Sequence, residues 1–570
     1  MSEIILSPGV FQIESDQSLY TQAPPALGAA IVGPTVSGRP FVPTYVTTYS
    51  QYLSLFGDIF KSGSYYYEYF TSQAAKEYFN NGGQSLLVTR IISGSANIGT
   101  YAQATVPSTA GTSFTLETLA WGDQMNNTSS ISSGSLASGS QYNVRWEVTN
   151  VNTGSNGGTF TIVVRRGDDN QAQKNILETW ANVSLDPQLP NYIARIIGDL
   201  KPVADLTNGY VNFTGSYANA SQYIRVASVN TPNVDSIDNN GNFKSASFGS
   251  TLPLVGSGSY GGSFSGGVAD TTATKLMNEN ITATNIQGFA PADYNNAFTL
   301  LANQDEYSYN VLMAPGIGLD CSSAANMIAT VEGRGDAIAI LGAGVYGTSI
   351  TGAVTNASGQ SSNYAAAYYP WIQLFSTGLG KAIWCPPSTV IGGVLAFNDQ
   401  VGAEWFAPAG LNRGGVPSVV RAERRLQQTD RDTLYTGNIN PLATFPGTGV
   451  CVWGQKTLQR KPTALDRINV RRLLIALKDF IGGVSRNLVF EQNTTVTRNS
   501  FLAQVNPYLE SVVQRQGLFA YKVVMDETNN TPDVVDRNQL VGQIYIQPTK
   551  TAEFIILNFN ILPTGATFPA

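Results

Sequence analysis

The chain contains no histidine. That absence removes Ser-His-Asp and Cys-His nucleophilic chemistry, the usual near-neutral proton shuttle and the commonest metal ligand. Charge is scarce too. Asp, Glu, Lys and Arg make up 13% of the 570 residues, against about 25% in a typical soluble domain. A surface so poor in charge is either covered by partners or built from Ser, Thr, Asn and Gly, and both suit a building block of an assembly. The net charge of −6 is not the basic balance of a nucleic-acid binder. Cys321, Cys385 and Cys451 lie far apart with no CxxC spacing, so they read as small buried hydrophobes rather than a zinc or disulfide framework. No apolar run reaches the roughly 18 residues of a membrane span. The opening MSEIILSPGVF has an early acid and no basic n-region, unlike a secretory signal. The expectation is a protein made and kept in a cytoplasm until whatever contains it is released.

What is present is enough apolar residue, 42%, for real cores, and a length that suggests about three or four domains. One stretch, GTGVCVWGQKTL from Gly447 to Leu458, approaches a phosphate-binding loop. Gly449 and Gly454 have the right separation, but Gln455 stands where lysine is needed, and Lys456 and Thr457 come one place late. Val450, Cys451, Val452 and Trp453 between the glycines favour a strand, not a flexible loop. The reading is a core strand ending near Gly454. Arg334-Gly335-Asp336 precedes a buried apolar run and reads as a turn, and the mixed-charge run Arg421 to Asp432 as an exposed helix or intersubunit rim.

Along the chain, residues 1–20 read as an extended β-prone arm broken by Pro8-Gly9, and residues 21–93 as the first part of an α/β core. In that part Thr48 to Phe56 start a helix stopped by Gly57, and Tyr66, Tyr69, Phe70, Ala74, Tyr78 and Phe79 follow near-helical spacing. Residues 94–250 fill with Ser, Thr, Gly and Asn around short runs such as SFTLETLAW, QYNVRWEVTN and TFTIVVRR, which reads as a mainly β insertion. The α/β pattern resumes over 251–463. Residues 464–548 give two amphipathic helices and strands, with Val470, Leu473, Leu474, Leu477, Phe480 and Ile481 on one face of the first helix and Arg471, Arg472 and Lys478 mostly on the other. A second arm is expected over 549–570.

These residues resemble a known family, the contractile tail sheath proteins. SPGVFQIESD is similar to their N-terminal arm, and IVGPTVSG followed by LFG to their first core elements. GVCVWGQKTL resembles a strand motif of the family. The best match is NVRRLLIALKDFI, NPYLESVVQRQGLFAYKVVMDETNN and QIYIQPTKTAEFIILNF near the end. The likeness covers roughly residues 1–93 and 290–570. It implies an α/β (α+β) core built from both chain ends, subtilisin-like in shape but without a catalytic triad, plus the inserted β domain. It implies a structural subunit and no enzyme, with no cofactor and no metal. Six copies would form rings that stack helically around an inner tail tube, with baseplate and tail terminator as further partners and with neither direct nucleic-acid contact nor membrane insertion. The place would be the tail of a virion assembled in the host cytoplasm. On triggering, the sheath would shorten and drive the tube through an envelope.

Strand donation needs segments that are β-prone yet cannot fold alone. Ile4, Ile5, Leu6, Val10, Phe11 and Ile13 fit at one end, and Phe554, Ile555, Ile556, Leu557, Phe559 and Ile561 at the other. An ordinary intramolecular edge strand remains the plainer alternative for the C-terminal segment. Arg471, Arg472 and Lys478 are candidates for tube contact, with a solvated helix face as the alternative. The competing classes are the sheath of a non-viral contractile injection machine, a histidine-independent hydrolase, and a β-rich fibre. The fibre reading lacks the internal repeats that fibres usually show.

Overall fold

The computed structural model describes residues 28–62, 64–93, 100–128, 134–152, 158–231, 239–240, 250–268 and 274–553. At its centre is an eight-stranded sheet of β1 (Ala29–Gly33), β2 (Thr44–Val46), β3 (Leu86–Arg90), β4 (Val311–Gly318), β5 (Ile338–Gly342), β6 (Ala365–Tyr369), β7 (Ile439–Phe445) and β8 (Gly449–Val452). The order is β2-β3-β1-β4-β5-β6-β7-β8. The strands from β3 to β7 run parallel, and the two edge strands, β2 and β8, pair antiparallel. Runs such as AAIVG, IAILG and AAAYY are buried at every position, as parallel strands covered on both faces require. Ala29 lies opposite Val311 on one side and Leu86 on the other, so segments from early and late in the chain interleave in one sheet.

Two helices cover part of this sheet, α1 (Phe70–Asn80) and α2 (Ser388–Val401). Their contact depends on Gly392 and Gly393. A Cβ at Gly392 would lie 2.2 Å from Met313 Sδ on β4, and one at Gly393 would lie 2.7 Å from the Glu77 carbonyl oxygen on α1. The helix Tyr49–Phe56 has the expected cap: Thr48 accepts from the Gln51 amide and Gly57 ends it at φ +69°. The tyrosine-rich run behaves otherwise than its spacing suggested. Tyr65–Glu68 is a strand paired with Ile59–Ser62, and the helix starts only at Phe70. Strand geometry turns Glu68 inward, where Ser376, Ser72 and Gln73 donate to its carboxylate.

Between β3 and β4 the chain forms antiparallel sheets with a hydrophobic cluster of their own. Tyr101–Ser108, Gly111–Trp121 and Ile224–Val229 make one sheet, and Val144–Asn152, Thr159–Arg166 and Ile176–Ser184 another. Phe114 and Phe160 stack between them with centroids 5.4 Å apart. A buried ionic knot closes the second sheet: Arg165 donates to Asp169 at 2.8 Å and to Glu147 at 2.9 Å.

After β8 come α4 (Ile468–Arg486) and α5 (Thr495–Gln514), preceded between β6 and β7 by α3 (Gln428–Thr436). The strands β9 (Leu518–Val524) and β10 (Gln543–Pro548) follow. Leu473 and Leu477 of α4 pack with Phe501, Val505, Leu509 and Val512 of α5 and with Trp405.

Candidate functional site

The nucleotide-like stretch contains an edge strand. β8 pairs antiparallel with β7, the Gln455 side chain donates to Thr551 and Glu553, and Lys456 Nζ donates to the Tyr435 carbonyl at 2.8 Å. In Arg334-Gly335-Asp336, Arg334 pairs with Asp336 at 2.9 Å across the left-handed Gly335 that ends a helix.

The expectation of an outward charged face on α4 is corrected for two of its three cations. Arg471 and Arg472 are only 3% and 2% exposed. Arg472 makes a two-pronged pair with Asp399 at 2.6 and 2.7 Å. Burial alone would lower its guanidinium, but Asp399, with Glu404 beyond it, holds it above its ordinary value. Arg471 lies 4.0 Å over the Tyr364 ring and donates to Asn363 at 2.7 Å. Burial lowers it, and Tyr364 works against that. The physical reason is that α4 is packed on two sides: α5 covers the leucine face, and Asn363, Tyr364 and Asp399 from the central region cover the arginine face. Lys478 alone of the three is exposed, with Nζ 3.2 Å from the Tyr364 hydroxyl.

The unit that α4 and α5 carry is a two-stranded antiparallel ribbon of β9 and β10, with Tyr521 opposite Ile546 and Val523 opposite Ile544. Its inner face, from Leu518 through Tyr521, Val523, Ile544 and Ile546, packs on α5. Its outer face holds Phe519 at 77% and Tyr545 at 57% exposure. Among the described residues no third strand joins either edge. The loop between the strands is stitched by Asn530, whose side chain donates to the Val541 carbonyl at 2.8 Å and accepts from the Val541 amide at 2.9 Å. The result is a fixed ribbon with open edges, a form that invites strand addition.

Beyond β10 the chain is tied to its own body. Thr549 Oγ1 donates to the Gln516 carbonyl at 2.6 Å, and Thr551 Oγ1 accepts from Gln455 at 2.6 Å. Glu553 accepts from Arg467 at 2.6 and 2.9 Å, from Gln455 at 3.0 Å and from the Tyr435 hydroxyl. Burial would raise the Glu553 carboxyl. The hydrogen bonds from Arg467, Tyr435 and Gln455, together with the Arg467 charge, outweigh burial and hold it below its ordinary value. The same cluster forms one wall of a cleft of ≈ 550 Å³ that also takes in Arg431, Asp432 and Trp453. An arm over 549–570 therefore cannot swing from its first residue, because Thr549 to Glu553 are held by Gln516, Gln455, Tyr435 and Arg467. The proposed donor residues Ile4, Ile5, Leu6, Val10, Phe11 and Ile13, and Phe554, Ile555, Ile556, Leu557, Phe559 and Ile561, lie outside the described residues.

Sequence reading missed the Glu553 anchor. Its one signal is a lone acid just ahead of the apolar run FIIL, and its partners lie 86 to 118 residues away in sequence. No helix of the described residues is long and apolar enough to cross a membrane, and no cluster of potential metal ligands occurs among them.

Comparison with known proteins bears on this region most directly. A family model described as the phage tail sheath protein central domain matches residues 272–458. A second, the phage tail sheath C-terminal domain, matches 460–562. Together they take in just over half of the chain. The chain is 42% identical over 185 residues to the tail sheath protein of Vibrio phage KVP40, and equally to that of Enterobacteria phage T4. Each alignment spans 32% of this chain and 28% of the relative. A crystal structure of a sheath tail protein from Listeria innocua superposes with a TM-score of 0.51 over 92% of this chain and 95% of that one, at 10% identity, a likeness of fold.

Proposed function

The chain belongs to the contractile phage tail sheath family, and from that premise we propose that it is the structural subunit that polymerises as stacked sixfold rings around an inner tail tube. On triggering, the lattice shortens and drives the tube through the host envelope for genome delivery. The observation that carries this reading is the β9–β10 ribbon, packed on α5 and, among the described residues, open at both edges. A two-stranded sheet is marginal alone. Each backbone hydrogen bond gained from an added strand contributes about 0.5–1.5 kcal/mol net, so one strand from a neighbour gives a join of several kcal/mol before apolar burial.

In this reading residues 1–20 and the segment after Glu553 are the donors. The central sheet is the subtilisin-like core of the family, and residues 94–250 are an insertion carried on it. Lys478 is what remains of the tube-contact expectation, an exposed cation worth about 0–1 kcal/mol in an ion pair, which suits a contact that must let go. Work comes from two packings of one folded subunit with unequal energy, the extended one held by a barrier. Assembly takes place in the host cytoplasm, with the baseplate and tail terminator at its ends. The phage relatives favour this reading over a non-viral injection machine.

Negative-stain microscopy of the purified chain tests it. Tubes or stacked sixfold rings are expected, and deletion of residues 1–20 should abolish them while the circular dichroism spectrum is kept. A protein that stays monomeric at every concentration, or a shortened one that polymerises normally, would count against the reading.

A further inference from the structure

The α4–α5 hairpin ends in an aromatic residue that none of the described residues covers. Phe490 is fully exposed, and Val489 before it and Val496 in the first turn of α5 are 60% and 78% exposed. Phe490 also holds φ at +71°, a left-handed value that is an outlier for a bulky side chain and persists only where the surroundings impose it. Here they do. The Glu491 amide donates to the Leu488 carbonyl at 3.1 Å, the Asn493 side chain donates to the Gln539 carbonyl at 2.8 Å, and Thr494 caps α5 by accepting from the Thr497 amide. Gly or Asn would suit that backbone better and would leave no ring in water. An aromatic ring held outward on a strained but tied-down loop is the form of an anchor residue, which takes its energy from a partner's pocket.

A receptor of matching character lies at the other end of α4. The cleft of ≈ 550 Å³ has Ala407, Ala409, Pro441 and Trp453 on its apolar side, and Trp453 is 40% exposed. The Trp453 and Phe445 rings meet with centroids 4.5 Å apart, and the Arg431 guanidinium lies 5.5 Å from the Phe445 centroid. The start of α4 is tied to the same cleft: the Ile468 amide donates to the Gln455 carbonyl at 2.8 Å and Arg467 donates to Glu553, and Gln455 and Glu553 both line it. α4 has 19 residues and is therefore about 28 Å long. That length separates the ring from the cleft, so Phe490 cannot fill the cleft of its own chain. A knob at one end of a rigid element and a hole at the other is the layout of a head-to-tail contact, which repeats from copy to copy. Charge agrees with it. Glu491 follows the knob and Arg431 lines the hole, and neither forms an ion pair among the described residues. Asp432, in the same wall, accepts from Gln428 at 3.1 Å.

We propose that Phe490 of one copy seats in this cleft of a second copy, its ring against Trp453 and Glu491 beside Arg431. The contact rests on the assembly reading for the presence of neighbouring copies. It adds what strand donation does not supply, a side chain in a pocket rather than a backbone on a sheet edge.

The test mixes two full-length variants, Gln492→Cys next to the knob and Thr436→Cys on the cleft wall. Both positions are exposed, and the native cysteines are buried. A short bismaleimide should give a two-chain product from the mixture and not from either variant alone. Phe490→Asn, added to the Gln492→Cys chain, should lower that yield roughly tenfold or more. The same change should leave the urea unfolding midpoint unchanged or higher, because asparagine tolerates the left-handed backbone. A Phe490→Asn chain with a lower midpoint, or with an undiminished yield, would overturn the proposal. So would a mixture that polymerises without giving the product, a product formed only with added tail tube protein, or one formed only after residues 554–570 are removed, which would give the cleft to the chain's own last segment. The product without polymer upholds this contact and counts against the ring reading. A mixture that neither polymerises nor cross-links removes both.

Discussion

The central sheet and the β9–β10 ribbon are built from the same kind of sequence and have opposite fates. β1, β5 and β6 are buried at every position, flanked by strands on both sides. β10 alternates between exposed and half-buried residues and, among the described residues, has one neighbour. The difference teaches that strand propensity alone does not decide whether a strand stabilises its own chain or remains available to another. What decides it is how many faces and edges the rest of the fold covers. In the centre, helices approach closely enough to require glycine. At the ribbon, α5 covers one face and leaves Phe519 and Tyr545 outward.

The sharpest way to strain that contrast is to break the centre. Asp399→Ala strips the partner from a buried guanidinium and should cost about 3–5 kcal/mol of stability, read from urea unfolding midpoints. Gly393→Ala comes next. Its Cβ meets the Glu77 backbone carbonyl at 2.7 Å, a contact that side-chain motion cannot relieve, and about 1–3 kcal/mol should be lost in the same assay. At the ribbon, Phe519→Ser and Tyr545→Ser should leave subunit stability within about 0.5 kcal/mol while slowing polymerisation followed by light scattering. Ribbon variants as damaging to the subunit as Gly393→Ala would erase the distinction drawn here.

The smallest effect concerns the Glu553 tie and its dependence on pH. A carboxyl held below its ordinary value of 4.5 adds stability above that value, and the contribution disappears as pH falls through the lower folded value. Local protection of Thr549 to Glu553, measured by hydrogen exchange, should therefore fall below about pH 4.5 with global unfolding little changed. In Glu553→Gln that acid-dependent step should vanish.

Sequence alone revealed the centre's strands because continuous apolar runs have few other readings, and it revealed the ribbon because LFAYKVV and QIYIQP alternate. It did not reveal their neighbours. The pairing of β1 with β4 spans most of three hundred residues, and nothing local encodes it. The tyrosine run failed because Tyr66, Tyr69 and Phe70 fit a helical period while Tyr65, Tyr67 and Tyr69 fit a strand period over the same few residues. Arg471 and Arg472 failed for a different reason. A helical wheel marks a polar face as outward unless the partner is known, and Asp399 and Asn363 reach that face from far away in sequence. Glu553 is the same lesson at the chain's end.

That tether also sets a length. A rope made fast at a cleat pays out from the cleat, not from the deck edge. Fastened at Glu553 rather than at the rim of β10, a donor segment that started there would give up the span of Thr549 to Glu553, at most about 3.3–3.6 Å per residue or roughly 17 Å in all. If the proposed strand donation holds, any neighbour reached from there would sit correspondingly nearer, and these five residues would help set the spacing between subunits.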